Sequence, residues 1–595
     1  MTIPRLNEAL IRSHATAQSF ERGESYYRNG SVASLTQRGS CLMGAVEGSE
    51  YEPYRVSIQF DAGGLTSAAC TCPYSFEGWC KHIVATLLTS LHHPDQIEQR
   101  SPLEALLQPL NRDQLQTLLQ ALTTEQPELI DQIERQIQHL FAQPVAQPAP
   151  KKTVRRTMVD PQPFRRQVQQ ILNSAGGYWD DTPALEEINA LVDKADDFTV
   201  QGDGNNALVI LRAITDAYVE SWMNLDGSSG ESGMFFEELD AALAEAILSA
   251  DLSAADRQDW QRQLPVWEDE VDQYGIDDAF AKSKTALNQG WDDPQLQAIL
   301  QGKVIHFPGP EGEESYGAKT LIQIRLAILE RQDNYNAYLN LARASGQTKA
   351  YLTMLVRLGQ IEEVMTEAKQ QLHSADAALA VAQALRERGE LAQALEIAEA
   401  GLDLPGILKA QLALWTSELA EGMGQQGKGL QARIIAFKDT PTLANYLKIE
   451  ELADASEWPK LQRSLLKSLR QQDDVFTSEA KVDIFLREGL LEDAIQSAQQ
   501  LSSFQADLIH RVMDAAMEQR PEWVINNARR RAEPIMDQGK AKYYQAAVEW
   551  LIKARDAYRQ AGRQQEWQTY YAELLQKHSR KRKLINLLNA LKRER

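Results

Sequence analysis

The chain has little cysteine: four in 595 residues. So few thiols exclude a disulfide scaffold, and a reducing compartment would keep them as thiols. Long apolar runs are also missing. Nothing approaches the roughly 20 residues a bilayer-spanning helix needs. The opening MTIPRLNEALIRSHATAQSFERG contains no apolar stretch of the secretory type. The expectation is a cytoplasmic protein without a membrane partner. Familiar enzyme signatures are absent too. There is no G-x-x-x-x-G-K-[ST] phosphate loop and no H-E-x-x-H helix, and the nine histidines are scattered. A non-enzymatic protein is expected.

What is present is ordinary in bulk and uneven in detail. Hydrophobic residues make up 43% and charged residues 24%, as in soluble globular chains. The length suits about four domains. The net charge is −21, and residues 180–278 alone, with 25 acidic side chains against Lys194, Arg212, Arg257 and Arg262, account for all of it. Two short segments are basic. Residues 151–166 hold six basic groups against one acidic, and residues 577–595 hold eight against one. Lys151, Lys152, Arg155, Arg156, Arg580, Lys581, Arg582 and Lys583 are therefore candidates for binding nucleic acid or an acidic partner.

Residues 1–100 read as a small α+β domain. A helix is expected over 17–27, ended by Asn29-Gly30. Alternating strands follow in SVASLTQ, LMGAVEG and YRVSIQF, then a strand and turn in GLTSAACTCPY. After Cys80, Ile83, Val84, Leu87, Leu88 and Leu91 share one helical face. Residues 101–142 read as a helical extension, 143–163 as a Pro/Ala-rich basic linker and 164–302 as an acidic all-helical domain. The loop from Asp226, with Ser228, Gly230, Ser232 and Glu237, has oxygen groups spaced as in a calcium loop. Its sixth position is Glu231 where such a loop needs glycine, so an acidic surface loop is preferred.

Residues 318–595 carry degenerate repeats. Gly359, Gly389 and Gly489 each stand between two helical patterns, and Val364, Ala394 and Ala494 follow five residues later. A further, weaker copy is read from Gly427. Glycine permits the tight turn of a helical hairpin, and small residues let its helices approach. The pattern resembles tetratricopeptide-type repeats, though without their fuller Trp, Tyr and Pro pattern, so an α-solenoid is expected.

Three of the four cysteines and one histidine fall in CTCPYSFEGWCKH, residues 70–82. Cys70 and Cys72, two apart on a strand, point to the same side. Cys80 and His82 follow at a helix start, and Pro73 and Gly78 allow the chain to turn back between the pairs. Three sulfurs and one imidazole form a closed tetrahedral set suited to one structural Zn²⁺, with no position left for water. The alternative is cysteines packed as small apolar residues, and their clustering in so poor a chain argues against it. Cys41, alone in a strand pattern, is read as core. Adjacent His92 and His93 are read as solvated.

The spacing C-x-C-x₇-C-x-H resembles that of the SWIM zinc finger. The resemblance extends to FERGESYYRNGSV upstream and CKHIVATLL downstream, and covers about residues 15–92. It implies zinc ligands at Cys70, Cys72, Cys80 and His82, a β-β-α finger, and DNA binding or protein interaction of the kind credited to that family. The stretch AAVEWLIKARDAYRQAGRQQEWQTYYAELLQKHSRKRKLINLL is similar to the tail of bacterial proteins that join such a finger to a helical body. The expectation is thus a mainly α protein: a SWIM-like zinc-finger domain followed by a TPR-like solenoid, scaffolding protein partners. The alternative is a DNA-binding protein that uses the finger and the basic segments, with a separate ATPase partner.

Overall fold

The computed structural model describes residues 6–126, 129–130, 133, 157–175, 182–225, 230–303, 314–472 and 475–591. The chain divides into two compact units. One comprises residues 1–109, 373–382 and 389–595, and the other comprises 110–372 and 383–388.

In the first unit, the N-terminal part runs α1 (Glu8–Ser13), α2 (Ala17–Arg28), β1 (Val32–Arg38), β2 (Cys41–Val46), β3 (Tyr54–Asp61), β4 (Gly64–Cys70), α3 (Lys81–His92) and β5 (Ile97–Arg100). The sheet order is β4-β3-β2-β1-β5; neighbours are antiparallel except β1 and β5, which are parallel. Alternation explains the strands. Tyr54, Val56, Ile58 and Phe60 of β3 are buried, while Arg55 and Gln59 face water. Thr16 caps α2 by accepting from the Ser19 amide, and Gly30 ends the helix at φ +68°. Helices α2 and α3 lie close: a Cβ on Gly23 would meet the Val84 side chain at 2.5 Å.

Two elements depart from expectation. β5, IEQR, lacks alternation and buries only Ile97; pairing with β1, not its own pattern, makes it a strand. Helix α3 buries far more than the anticipated face. His82, Ala85, Thr86, Thr89 and Ser90 are buried as well, and Leu91 is only half-buried. The three hydroxyls satisfy themselves on carbonyls within the helix, which lets them lie inside.

Beyond the sheet come α4 (Leu103–Leu107) and α5 (Arg112–Glu125). The second unit is helical, with a core that includes Tyr218, Phe236, Leu239, Trp267 and Phe280. The repeat region is a series of helical hairpins. Gly359, Gly389 and Gly489 take φ of +79°, +87° and +68° at the hairpin turns, and Val364, Ala394 and Ala494 are fully buried. The weaker copy is corrected by three residues. Gly427 lies inside the helix Gln426–Asp439, and the left-handed turn glycine is Gly424 at φ +75°.

Candidate metal centre

Strand β4 ends at Cys70 and brings its thiol beside that of Cys72. The loop 73–80 returns the chain so that Cys80 stands as N-cap of α3 with His82 in its first turn. Local packing fixes that loop. Gly78 takes φ +80°, a left-handed conformation that suits glycine, and a Cβ there would meet the His14 carbonyl oxygen at 2.9 Å. The Trp79 amide donates to that same carbonyl at 2.7 Å, and the Trp79 ring stacks on His14 with centroids 4.4 Å apart. Ser19 donates to the Tyr74 hydroxyl at 3.0 Å, tying the loop to α2.

Cys70, Cys72, Cys80 and His82 offer four donor atoms, all within 4.8 Å of one another. Cys70 Sγ and His82 Nδ1 are 3.6 Å apart. A tetrahedral zinc with ordinary Zn–S and Zn–N bonds separates sulfur and nitrogen by about 3.6 Å, so this edge has the size the ion needs. His82 is 2% exposed, and its Nε2 has no hydrogen-bond partner among the described residues. Nδ1 is therefore the nitrogen turned to the sulfurs. The ring stacks on Tyr54 at 4.4 Å between centroids, and the Tyr26 ring meets it edge-on at 5.5 Å.

The three thiols strain one another electrostatically. The hydrogen bond from Cys70 draws the Cys80 thiol down to about 4, assisted by His82. The Cys70 thiol is correspondingly pushed up by Cys80 and by burial, and burial raises Cys72. Burial and the neighbouring thiols thus oppose the ionisation of all three without a cation. Zn²⁺ takes the place of the protons and holds three thiolates at a local charge of −1. The residues present therefore fit one zinc ion. Lys81, between two ligands, donates to the Tyr26 hydroxyl at 2.8 Å, placing a positive charge beside the site through the ring that touches His82.

The other singled-out residues lie elsewhere. Cys41 is half-buried, with Sγ 3.6 Å from the Ser57 hydroxyl, and is outside the metal group. His92 and His93 are exposed, yet they are partnered: His92 lies 2.9 Å from Glu8, and His93 lies 3.3 Å from the Tyr27 hydroxyl. Lys151, Lys152, Arg155, Arg156 and Asp226 fall outside the described residues. Arg580, Arg582 and Lys583 are exposed at the start of the helix Arg582–Leu591. Lys581 is engaged: its Nζ donates to the carbonyls of Met536 and Asp537, at the C-terminal end of the helix Pro521–Asp537. A cation there complements the helix dipole. The supporting shell of Tyr54, Tyr26, His14 and Trp79 was missed from sequence. Of these only Trp79 belongs to the run of aromatics between Cys72 and Cys80, and nothing in the motif points to the other three.

Comparison with known proteins places the same residues in a family. The SWIM zinc finger profile matches residues 54–91. The zinc finger SWIM domain-containing protein 8 homolog of Drosophila melanogaster is 34% identical over 137 residues, 22% of this chain and 6% of that protein. The human zinc finger SWIM domain-containing protein 8 is 34% identical over 122 residues, 20% of this chain and 7% of its own length. The Bos taurus protein matches at the same identity over 9% of its length, so the likeness spans a small part of each relative. A solved circular tandem repeat protein aligns at 16% identity over 73% of this chain and 97% of its own, with a TM-score of 0.18, too low to bear on the fold. Family match and four-donor cluster coincide: the N-terminal module of this chain carries a SWIM zinc finger.

Proposed function

We propose that this chain is a non-enzymatic, cytoplasmic interaction protein. Its finger is held by one structural zinc, and its helical-repeat body receives protein partners. The closed donor set carries the reading. Three sulfurs and one nitrogen fill a tetrahedral shell and leave no position for substrate or water, so the ion supports a fold rather than a reaction. Helical hairpins in series expose extended surfaces suited to other proteins. An excess of acid over base disfavours non-specific contact with nucleic acid. The alternative, DNA binding through the finger and basic segments, loses Lys581, which is occupied at a helix end.

A pull-down with the zinc-loaded full chain, run with and without nuclease, tests the proposal. A protein that survives nuclease and binds again when purified supports it. Capture that vanishes with nuclease, with duplex DNA binding that weakens steeply in salt, replaces it by the DNA reading.

A further inference from the structure

Glycine in a helix calls for a reason, because alanine is the better helix former. Gly422 ends the helix Lys409–Gly422 without a left-handed φ; that turn comes later, at Gly424. The backbone therefore does not demand glycine at 422. Packing does. A Cβ on Gly422 would run into the carbonyl group of Gly63 and lie 2.7 Å from the Gly63 Cα. Gly63 supplies all three of the nearest atoms outside the helix's own backbone. Gly427, inside the helix Gln426–Asp439, is the contrast: a Cβ there would meet open space.

Gly63 belongs to the zinc finger, in the turn between β3 and β4. Its amide donates to the Asp61 carboxylate at 2.7 Å, which closes the turn, and Gly64 follows at φ +120°. Two glycines in succession carry no side chain to hold another segment off, so backbone meets backbone.

The receiving surface is fixed. Glu421, beside Gly422, lies 2.8 Å from Lys448 Nζ and 3.8 Å from the Arg433 guanidinium, and it accepts from the Ser417 hydroxyl at 3.1 Å. Arg433 Nε donates to that same hydroxyl at 3.2 Å. A Cβ on Gly429 would meet Glu421 Cγ at 3.0 Å, so the helix Gln426–Asp439 lies close behind. An end packed in this way has little slack to take up a methyl group at 422.

The strand that starts at this contact ends at the metal donors. β4 runs from Gly64 to Cys70, is an edge strand paired to β3, and has no fully buried side chain. Side-chain packing alone holds it weakly. The zinc donor at one end and the contact beside the other add to its pairing with β3.

We infer that the end of the helix Lys409–Gly422 is a built seat for the β3–β4 turn, and that seating the turn braces β4 and slows release of the zinc. The finger is docked on the repeat region while it holds zinc, and a zinc-free finger vacates the seat. This goes beyond the reading of the body as a partner-binding surface and does not depend on it.

Gly422→Ala in the zinc-loaded full chain tests it. Zinc loss to an excess of chromogenic chelator is timed, and hydrogen exchange is read over residues 61–65. Gly422→Ala is expected to speed zinc loss about fivefold, the lower end of what an overpacked contact costs, and to raise exchange in the turn. Gly427→Ala is the control. It also puts alanine for a helical glycine but touches nothing, so zinc loss and turn exchange stay as in the unaltered chain. Circular dichroism melts no lower than that of the unaltered chain show that the body is folded in both variants. A second measurement needs no variant: stripping zinc from the unaltered chain is expected to raise exchange at residues 418–422 as the seat empties. Zinc loss from Gly422→Ala at the unaltered rate overturns the inference. Equal acceleration by both variants also overturns it, since any change in the helical body would then reach the metal. So does protection at 418–422 that ignores zinc removal.

Discussion

Replacing Cys72 by serine takes one sulfur from a shell of four and offers a weakly binding hydroxyl instead. Structural zinc contributes on the order of 10 kcal/mol to folding in finger peptides, far more than a small domain can lose. Cys72→Ser is expected to purify without zinc and to expose residues 15–92 to proteolysis. A metal-free chain whose finger still resists protease would contradict a structural role. The donors themselves were legible because rare residue types stood at a telling spacing. Their orientation was not, since it depends on His14, Tyr26 and Tyr54, which reach the site from outside the motif. A second residue-scale case lies in the acidic region. Burial, then the carboxylates of Glu245 and Asp193, raise Asp196 to about 6, with Arg331 opposing. An unfolded aspartate titrates near about 3.9. The raised value means that the stabilising contribution is complete below that pH and is lost as pH rises through about 6. Asp196→Asn should therefore raise the melting temperature at pH 7 and leave it nearly unchanged at pH 4. Equal effects at the two pH values would refute this.

Turns show how sequence and structure relate at the level of elements. Gly489 takes φ +68° with open space around its missing Cβ, so alanine there meets only backbone strain, about 1 kcal/mol. Gly78 takes φ +80° and also faces the His14 carbonyl, so alanine there adds a backbone clash next to two zinc ligands. Gly489→Ala should lower stability by roughly that 1 kcal/mol and keep zinc. Gly78→Ala should cost more and reduce zinc affinity in a chelator competition. Equal zinc affinity in the two variants would separate the loop from the site. The hairpin glycines were readable because a tight helical turn demands that residue type. The strands β1–β3 were readable because one face is buried and the other wet, whereas β4, with no buried side chain, was readable from the turn and Pro73 that follow it. β5 was not, because a four-residue edge strand with one buried side chain carries no period. The repeat copy read at Gly427 slipped by three residues because a run of glycines, at 422, 424, 427 and 429, blurs which one turns the chain.

At the scale of the whole molecule, the apolar interior is divided. The finger has its own core, built from residues between Ile11 and Ile97. Among the described residues a second cluster runs from Val168 to Ile328 and a third from Phe437 to Leu591, with further buried apolar residues between them, Leu341, Leu355, Leu385 and Leu412 among them. None of the zinc donors belongs to the second or third, so metal removal acts first on the finger, whose Gly63 packs against Gly422 of the helix Lys409–Gly422. A strong chelator should abolish amide protection in β1–β4 and α3 while amides of the other two cores keep theirs in the same hydrogen-exchange experiment. The far-ultraviolet helical signal should fall only slightly, since the finger's helices α1, α2 and α3 are few among those described. Restoring zinc should restore protection in the finger. Protection lost from all three cores together would mean that the ion supports the body as well, and that the finger is no separate folding unit. Selective loss would instead make zinc a way to remove the finger from the intact chain, so that partners of the finger and of the helical body can be told apart by which ones the chelator releases.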